Sequence, residues 1–120
     1  MLFRSRTQKF GLWRNRVHTG QVRVRPLVLH PAAEAELWEA AAYYESKVEG
    51  LGADSRAEIE RAFGQIQATP DRWSKGARNA RRYHVRRFPY SVVYLDRPDF
   101  LIVIAVAHGK RRPHYWRIRL

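Results

Sequence analysis

Three histidines and nine basic side chains share two stretches near the end of this chain, RRYHVRRF (residues 81–88) and HGKRRPHYWRIRL (residues 108–120). Histidine changes charge near neutrality unaided, so His84, His108 and His114 are the candidates for proton transfer. A histidine pair among arginines could run acid–base chemistry on a phosphodiester. Nearby guanidinium charge holds an imidazole neutral, as a base requires, and steadies the phosphate. The plainer reading is that these histidines are hydrogen-bonding residues of a small basic domain. No metal site is expected, because no pair of histidines or carboxylates has compact ligand spacing and Asp96 and Asp99 fit a turn. No cofactor is expected either.

The global charge sets the context for those stretches. The chain has 120 residues and a formal net charge of +12, and it contains no cysteine. Disulfide scaffolds, thiolate zinc sites and cysteine nucleophiles are thereby excluded. Residues 1–25 carry seven Lys/Arg and no acid, residues 26–71 carry three bases against nine acids, and residues 72–120 carry thirteen bases against two acids. Two basic segments therefore flank an acidic middle, an arrangement suited to a polyanionic partner, whether nucleic acid or an acidic protein segment. No run approaches the roughly 18 apolar residues of a membrane span, and the N-terminal segment lacks the apolar core of a secretory signal. A cytoplasmic location is expected.

The elements that must position the basic residues follow from periodicity. Val22–Leu29 (VRVRPLVL) reads as a first strand ending at His30-Pro31, and Pro31 suits the first turn of a helix. Glu34 and Glu36 stand where the helix dipole favours acids. Leu37, Ala41, Tyr44 and Val48 form an apolar stripe, widened by Ala33 and Ala40, and Gly50 and Gly52 end the helix. A second helix is predicted to open at Asp54-Ser55, with Ser55 and Glu58 as a capping box, and to bury Ile59, Ala62, Phe63 and Ile66 before Thr69-Pro70. Trp38, partly off the first stripe, is either an interface aromatic or part of the helix-pair packing. Period-two patterns then predict strands over 81–88, 90–95 and 100–108, the last two joined by a turn at Asp96–Asp99.

The expected order is β-α-α-β-β-β, an α+β fold in which an antiparallel sheet carries an αα-hairpin on one face. The last three strands form a meander and the first strand pairs beside the final one. The final strand, FLIVIAVA, is apolar at every position, so its second face needs a cover. Trp73, Tyr115 and Trp116 could supply it, or a partner chain could. Residues 1–21 are read as a disordered basic N-terminal extension, and residues 22–120 as the folded domain. Val22 also fits a natural start, since valine can be specified by the initiator GUG.

HPAAEAELWEAAAYYE, then GLG, ATPDRW, RRFPYSVVYL and VAHGKRRPHYW, together resemble the toxins of RelE/ParE-type type II toxin–antitoxin systems. The likeness runs from about Val22 to Trp116. It implies a toxin bound and neutralised by a cognate antitoxin with an acidic C-terminal region, the two forming a heteromeric complex. The RelE branch cuts mRNA on the ribosome, and the ParE branch is associated with inhibition of DNA gyrase. For a RelE-like endoribonuclease the resemblance implies Arg82, Arg111 and Tyr115 as catalytic candidates. The arginine that branch places in the third strand is replaced by Ser91 of Phe88-Pro89-Tyr90-Ser91, and serine makes no charge-assisted contact with phosphate. The chain therefore resembles the ParE branch more closely, and the reading leans away from an enzyme.

Arg81, Arg82, Arg86, Arg87, Lys110, Arg111, Arg112 and Trp116 are then expected to bind antitoxin or target, most directly gyrase, with the ribosome and mRNA as the partners of the nuclease alternative. A third reading, a non-toxic basic module that binds nucleic acid, predicts steeply salt-dependent affinity. As structural charges, the strand arginines would instead guard a sheet edge against aggregation.

Overall fold

The computed structural model describes residues 11–13 and 24–120. Its elements are β1 (Gly11–Trp13), β2 (Leu27–Leu29), α1 (Pro31–Lys47), α2 (Leu51–Ala68), a 3₁₀ turn (Ala77–Asn79), β3 (Arg81–His84), β4 (Tyr90–Asp96), β5 (Leu101–His108) and a 3₁₀ helix (Tyr115–Arg119). The five strands form one sheet in the order β1-β2-β5-β4-β3. The predicted α+β architecture and meander are present, with the two helices on one face. The sheet is mixed rather than wholly antiparallel, because β2 runs parallel to β5. The helical hairpin carries the chain from β2, at the β5 edge of the meander, across to β3 at the opposite edge.

α1 starts as the His-Pro pair predicts. Pro31 occupies the first helical turn, and the His30 Nδ1 accepts the Ala32 N–H at 3.0 Å. The buried stripe is Ala33, Leu37 and Ala40, joined by Glu36, while Ala41 is only partly covered and Val48 is exposed. α2 begins a turn earlier than predicted. The Glu45 carboxylate of α1 accepts the N–H groups of Gly50 and Gly52, capping the second helix from the first. Those bonds to the ionised form hold the Glu45 pKa below the ordinary carboxylate value. Ser55 is therefore no cap; it is buried inside the helix and donates to the Gly52 carbonyl at 2.8 Å. A Cβ on Gly52 would stand 2.5 Å from the Ala41 carbonyl oxygen, so only glycine permits this helix approach. Trp38 is half exposed at the rim of the helix pair, with the Arg56 guanidinium of α2 over its ring at 5.2 Å.

Two differences concern the strands. β2 covers only Leu27–Leu29, since Pro26 has no N–H to give a ladder and Arg25 turns its side chain to Asp96 and the Arg97 carbonyl. β3 stops at His84. Pro89 cannot donate, Arg87 takes a left-handed conformation (φ 71°), and residues 85–89 become a turn closed by the Val85 N–H on the Tyr90 carbonyl. Arg86 and Arg87 consequently lie in this turn and not in the strand predicted over 81–88.

Gly11–Trp13, read from sequence as part of a disordered arm, pairs with β2 as an edge strand. The Trp13 ring meets Phe63 of α2 edge-on at 5.4 Å, the apolar contact that ties this short piece down. The rest of that arm, residues 1–10 and 14–21, lies outside the described residues, as do Val22 and Arg23 of the predicted first strand.

The core has two parts, one on each sheet face. On the helix side Leu27, Val92, Tyr94, Leu101, Val103 and Val106 pack with Leu37, Ile59, Phe63 and Ile66. On the outer side Val93, Leu95, Ile102, Ile104, Ala105 and Ala107 lie beneath Ala80 and Trp116, with Tyr115 and Phe100 beside them. The chain's own tail thus covers the second face of β5, and Trp116 is 2% exposed. Trp73 takes no part in that cover; it meets Tyr83, whose ring packs against the helix-side cluster.

Candidate functional site: the C-terminal tail and the outer sheet face

The tail is held by a problem in the sheet. β2 pairs with β5 only as far as Val103, whose carbonyl takes the His30 N–H, so among the described residues the rest of that edge of β5 has no strand beside it. Between Val93 and Tyr94 the β5 partner jumps from Ala105 to Val103, leaving Ile104 as a bulge residue. Buried N–H and C=O groups without partners each cost about 1–3 kcal/mol. Two side chains supply the partners. Glu36 Oε1 accepts the Val106 N–H at 2.9 Å, and Arg119 Nη1 donates to the Ile104 carbonyl at 3.0 Å.

These two side chains also bind each other. Arg119 Nη1 and Nη2 donate to the two Glu36 oxygens at 3.0 and 2.8 Å, a two-pronged pair with little solvent access. The Tyr115 hydroxyl donates to Glu36 Oε2 at 2.8 Å, and Arg111 Nη1 lies 3.8 Å from the same oxygen. The guanidinium groups of Arg111 and Arg119 lie 3.8 and 5.1 Å from the centre of the Tyr115 ring. Burial, then the hydrogen bond to Glu36 and the carboxylate's charge, pushes the Tyr115 phenol far above its ordinary pKa. The same carboxylate, mainly through hydrogen bonding, raises the Arg119 pKa. At the start of α1, burial and then the Arg119 charge lower the His30 pKa.

Glu36 was missed as a site residue from sequence because an acid near a helix start reads as a dipole-favoured surface group. A signal was present: Glu36 lies three residues after Ala33 and four before Ala40, within the stripe that is buried.

The residues singled out from sequence separate into three groups. Arg81 is turned inward. It donates to the carbonyls of Trp73 and Asp71, and its Nε lies 3.6 Å from Asp96, so it braces the sheet edge. Trp116 is core. Arg82, Arg86, Lys110 and Arg112 are exposed and make no ion pair among the described residues, whereas Arg87 pairs with Asp54 at 3.7 Å. Arg111 is half exposed and stacked on Tyr115. Of the nuclease candidates, Arg82, Arg111 and Tyr115 do converge, lining one cavity of about 140 Å³ between β3, the end of β5 and the tail.

The histidines do not form a pair. His84 Nδ1 is 2.9 Å from the Ser91 hydroxyl, His108 Nδ1 accepts the Lys110 N–H, and His114, at φ 60°, meets Trp116 edge-on. Among the described residues no group of three or more His, Asp or Glu could hold a metal ion, and no helix is long and apolar enough to cross a membrane.

The fold and this site define a small α+β protein whose tail is locked from within and whose outer face carries uncompensated cations. The family model for the ParE toxin of type II toxin–antitoxin (parDE) systems matches residues 27–113, and the chain belongs to that family. Among solved structures it is similar to the chromosomal ParDE toxin–antitoxin system from P. aeruginosa, at 12% identity and a TM-score of 0.62. That match covers 68% of this chain and 92% of the other, and at such identity the likeness concerns the fold. No curated protein sequence matches the chain.

Proposed function

We propose that this ParE-family toxin arrests growth by binding an essential target, DNA gyrase, rather than by cutting RNA. A cognate antitoxin with an acidic C-terminal region neutralises it by covering the cationic outer face and tail. The observation that carries the choice against RNA cleavage is the commitment of Tyr115. Its proton is donated to a buried carboxylate and its pKa is raised, so it is a poor base toward a ribose hydroxyl. Ser91, at the position where a RelE-like pattern requires arginine, is buried and bonded to His84. The exposed cations Arg82, Arg86, Lys110 and Arg112 suit an acidic protein segment.

Purified toxin titrated into a gyrase supercoiling assay tests the reading. Inhibition that the antitoxin relieves is the expected result. Untouched supercoiling at large excess, combined with ribosome-dependent mRNA cuts that Arg111→Ala abolishes, would replace it with the nuclease.

A further inference from the structure

The cavity on the outer face has a composition that the binding of a target does not by itself require. Arg82 reaches it from β3, His108 from the end of β5, and Arg111, Arg112 and His114 from the tail, with Trp116 as an apolar wall. No Asp or Glu lines it among the described residues. The nearest carboxylate on the tail side, Glu36, is already engaged by both prongs of Arg119 and lies 3.8 Å from Arg111. Arg82 and Arg112 have no ion pair among the described residues, so like charges gather here without compensation.

The orientation of the donors narrows the ligand. The His108 Nδ1 accepts the Lys110 N–H, which places the imidazole proton on Nε2 and makes that nitrogen a donor. The backbone N–H groups of the adjoining turn are spent internally: Gly109 on the Pro89 carbonyl, Lys110 on His108, and Arg111 on the His108 carbonyl. The cationic side chains are therefore the main donors at this end of the cavity. A volume of about 140 Å³ is well below the roughly 300–1,000 Å³ of cavities that enclose a whole small-molecule ligand. The site takes one charged group of a larger molecule, or a small free anion.

Three arginines line the cavity from two sides, Arg82 from β3 and Arg111 and Arg112 from the tail, and Arg82 and Arg112 make no ion pair among the described residues. A planar carboxylate is satisfied by a single guanidinium fork, whereas a tetrahedral anion with two charges offers acceptors to all three. We propose that this cavity is a phosphate site, taking a phosphoryl group either as a free monoester or as part of a nucleic acid. Its occupancy is read on the toxin alone and does not depend on gyrase being the target.

The test is a titration of the full chain with inorganic phosphate at constant ionic strength, followed by NMR of the Trp116 indole and the His108 and His114 rings. Saturable shifts at millimolar phosphate are expected, with acetate at least several-fold weaker. Arg82→Ala and Arg112→Ala should each weaken phosphate about tenfold, the worth of one charge-assisted hydrogen bond. Arg97→Ala, which removes the same charge from the β4–β5 turn at the far end of β5, should leave it unchanged. Equal weakening by Arg97→Ala, shifts that never saturate, or acetate binding as tightly as phosphate would overturn the proposal. Oligonucleotides with and without a 5′-phosphate then identify the source. Tighter binding of the phosphorylated form points to a terminal group, and equal saturable binding of both at these residues points to the backbone. Failure of both oligonucleotides while inorganic phosphate binds supports a small monoester.

Discussion

Replacing Glu36 with glutamine should cost the fold more than any exposed charge in it. The side chain accepts four hydrogen bonds, from the Val106 N–H, the Tyr115 hydroxyl and two from Arg119, and it is 8% exposed. Glutamine keeps the shape but removes the charge. Either orientation of the amide sets its NH₂ against a donor, and Arg119 becomes a buried cation without a counter-ion. Breaking a buried pair from one side costs about 3–5 kcal/mol. Against a total stability of about 5–15 kcal/mol for a domain of this size, that is a large fraction. It corresponds to a fall in Tm of about 12–20 °C. Urea unfolding followed by far-UV circular dichroism measures the loss, and limited trypsinolysis after Arg117 and Arg119 reports release of the tail. The double variant Glu36→Gln/Arg119→Met removes both charges and should recover part of the loss, a coupling of about 1–3 kcal/mol. Glu36→Gln within about 1 kcal/mol of the parent, the typical cost of an arbitrary substitution, would refute the reasoning. Packing of Trp116 would then hold the tail without the carboxylate.

Other consequences can be checked in parallel. Tyr115→Phe should lose about 1–2 kcal/mol of stability, one hydrogen bond to a charged acceptor, and leave growth arrest intact; loss of arrest at unchanged fold would favour the nuclease. Because the folded-state pKa of His30 is lowered, its contribution is complete above its unfolded value near 6.5 and declines as pH falls through that value toward the folded one. Protonation there also competes with the bond from the Ala32 N–H, so melting temperature should fall on acidification, and the fall should be smaller in His30→Asn, which keeps a cap. Gly52→Ala should destabilise by about 1–3 kcal/mol through its clash with the Ala41 carbonyl, read by thermal melting. Arg81→Ala should destabilise by about 1–3 kcal/mol, since it strips donors from the Trp73 and Asp71 carbonyls, while Arg82→Ala should leave melting within about 0.5 kcal/mol of the parent.

Element types were legible in the sequence because they rest on local rules. The His30-Pro31 helix start, the stop at Thr69-Pro70 and the 96–99 turn each announce themselves within a few residues. The uniformly apolar strand FLIVIAVA also demanded a cover on both faces, and Tyr115 and Trp116 were candidates for it. What escaped was set by distance in the chain. Glu45 caps α2 through a loop, which displaced the helix start and left Ser55 in the interior. Pairing of Glu36 with Arg119 spans 83 positions and serves the part of β5 that β2 does not reach, because the chain leaves the sheet for α1 at His30-Pro31. Likewise Arg81 and Arg82 are chemically identical neighbours. Only the pleat sends one into the sheet edge and the other to solvent.

The parallel pairing of β2 with β5 has a consequence for the order of folding. Leu27 and Leu101 are neighbours in the sheet, and the whole helical hairpin, β3 and β4 lie between them in sequence. Synthesis releases the helices well before the strand at the centre of the sheet. The apolar side formed by Ile59, Phe63 and Ile66 must then wait uncovered until β4 and β5 arrive. Closing so long a loop is entropically expensive and slows folding relative to the local meander. The docking of β2 against β5 is therefore expected to follow the local meander and to be the slow step of maturation, which stopped-flow refolding with a Leu27→Ala variant would test.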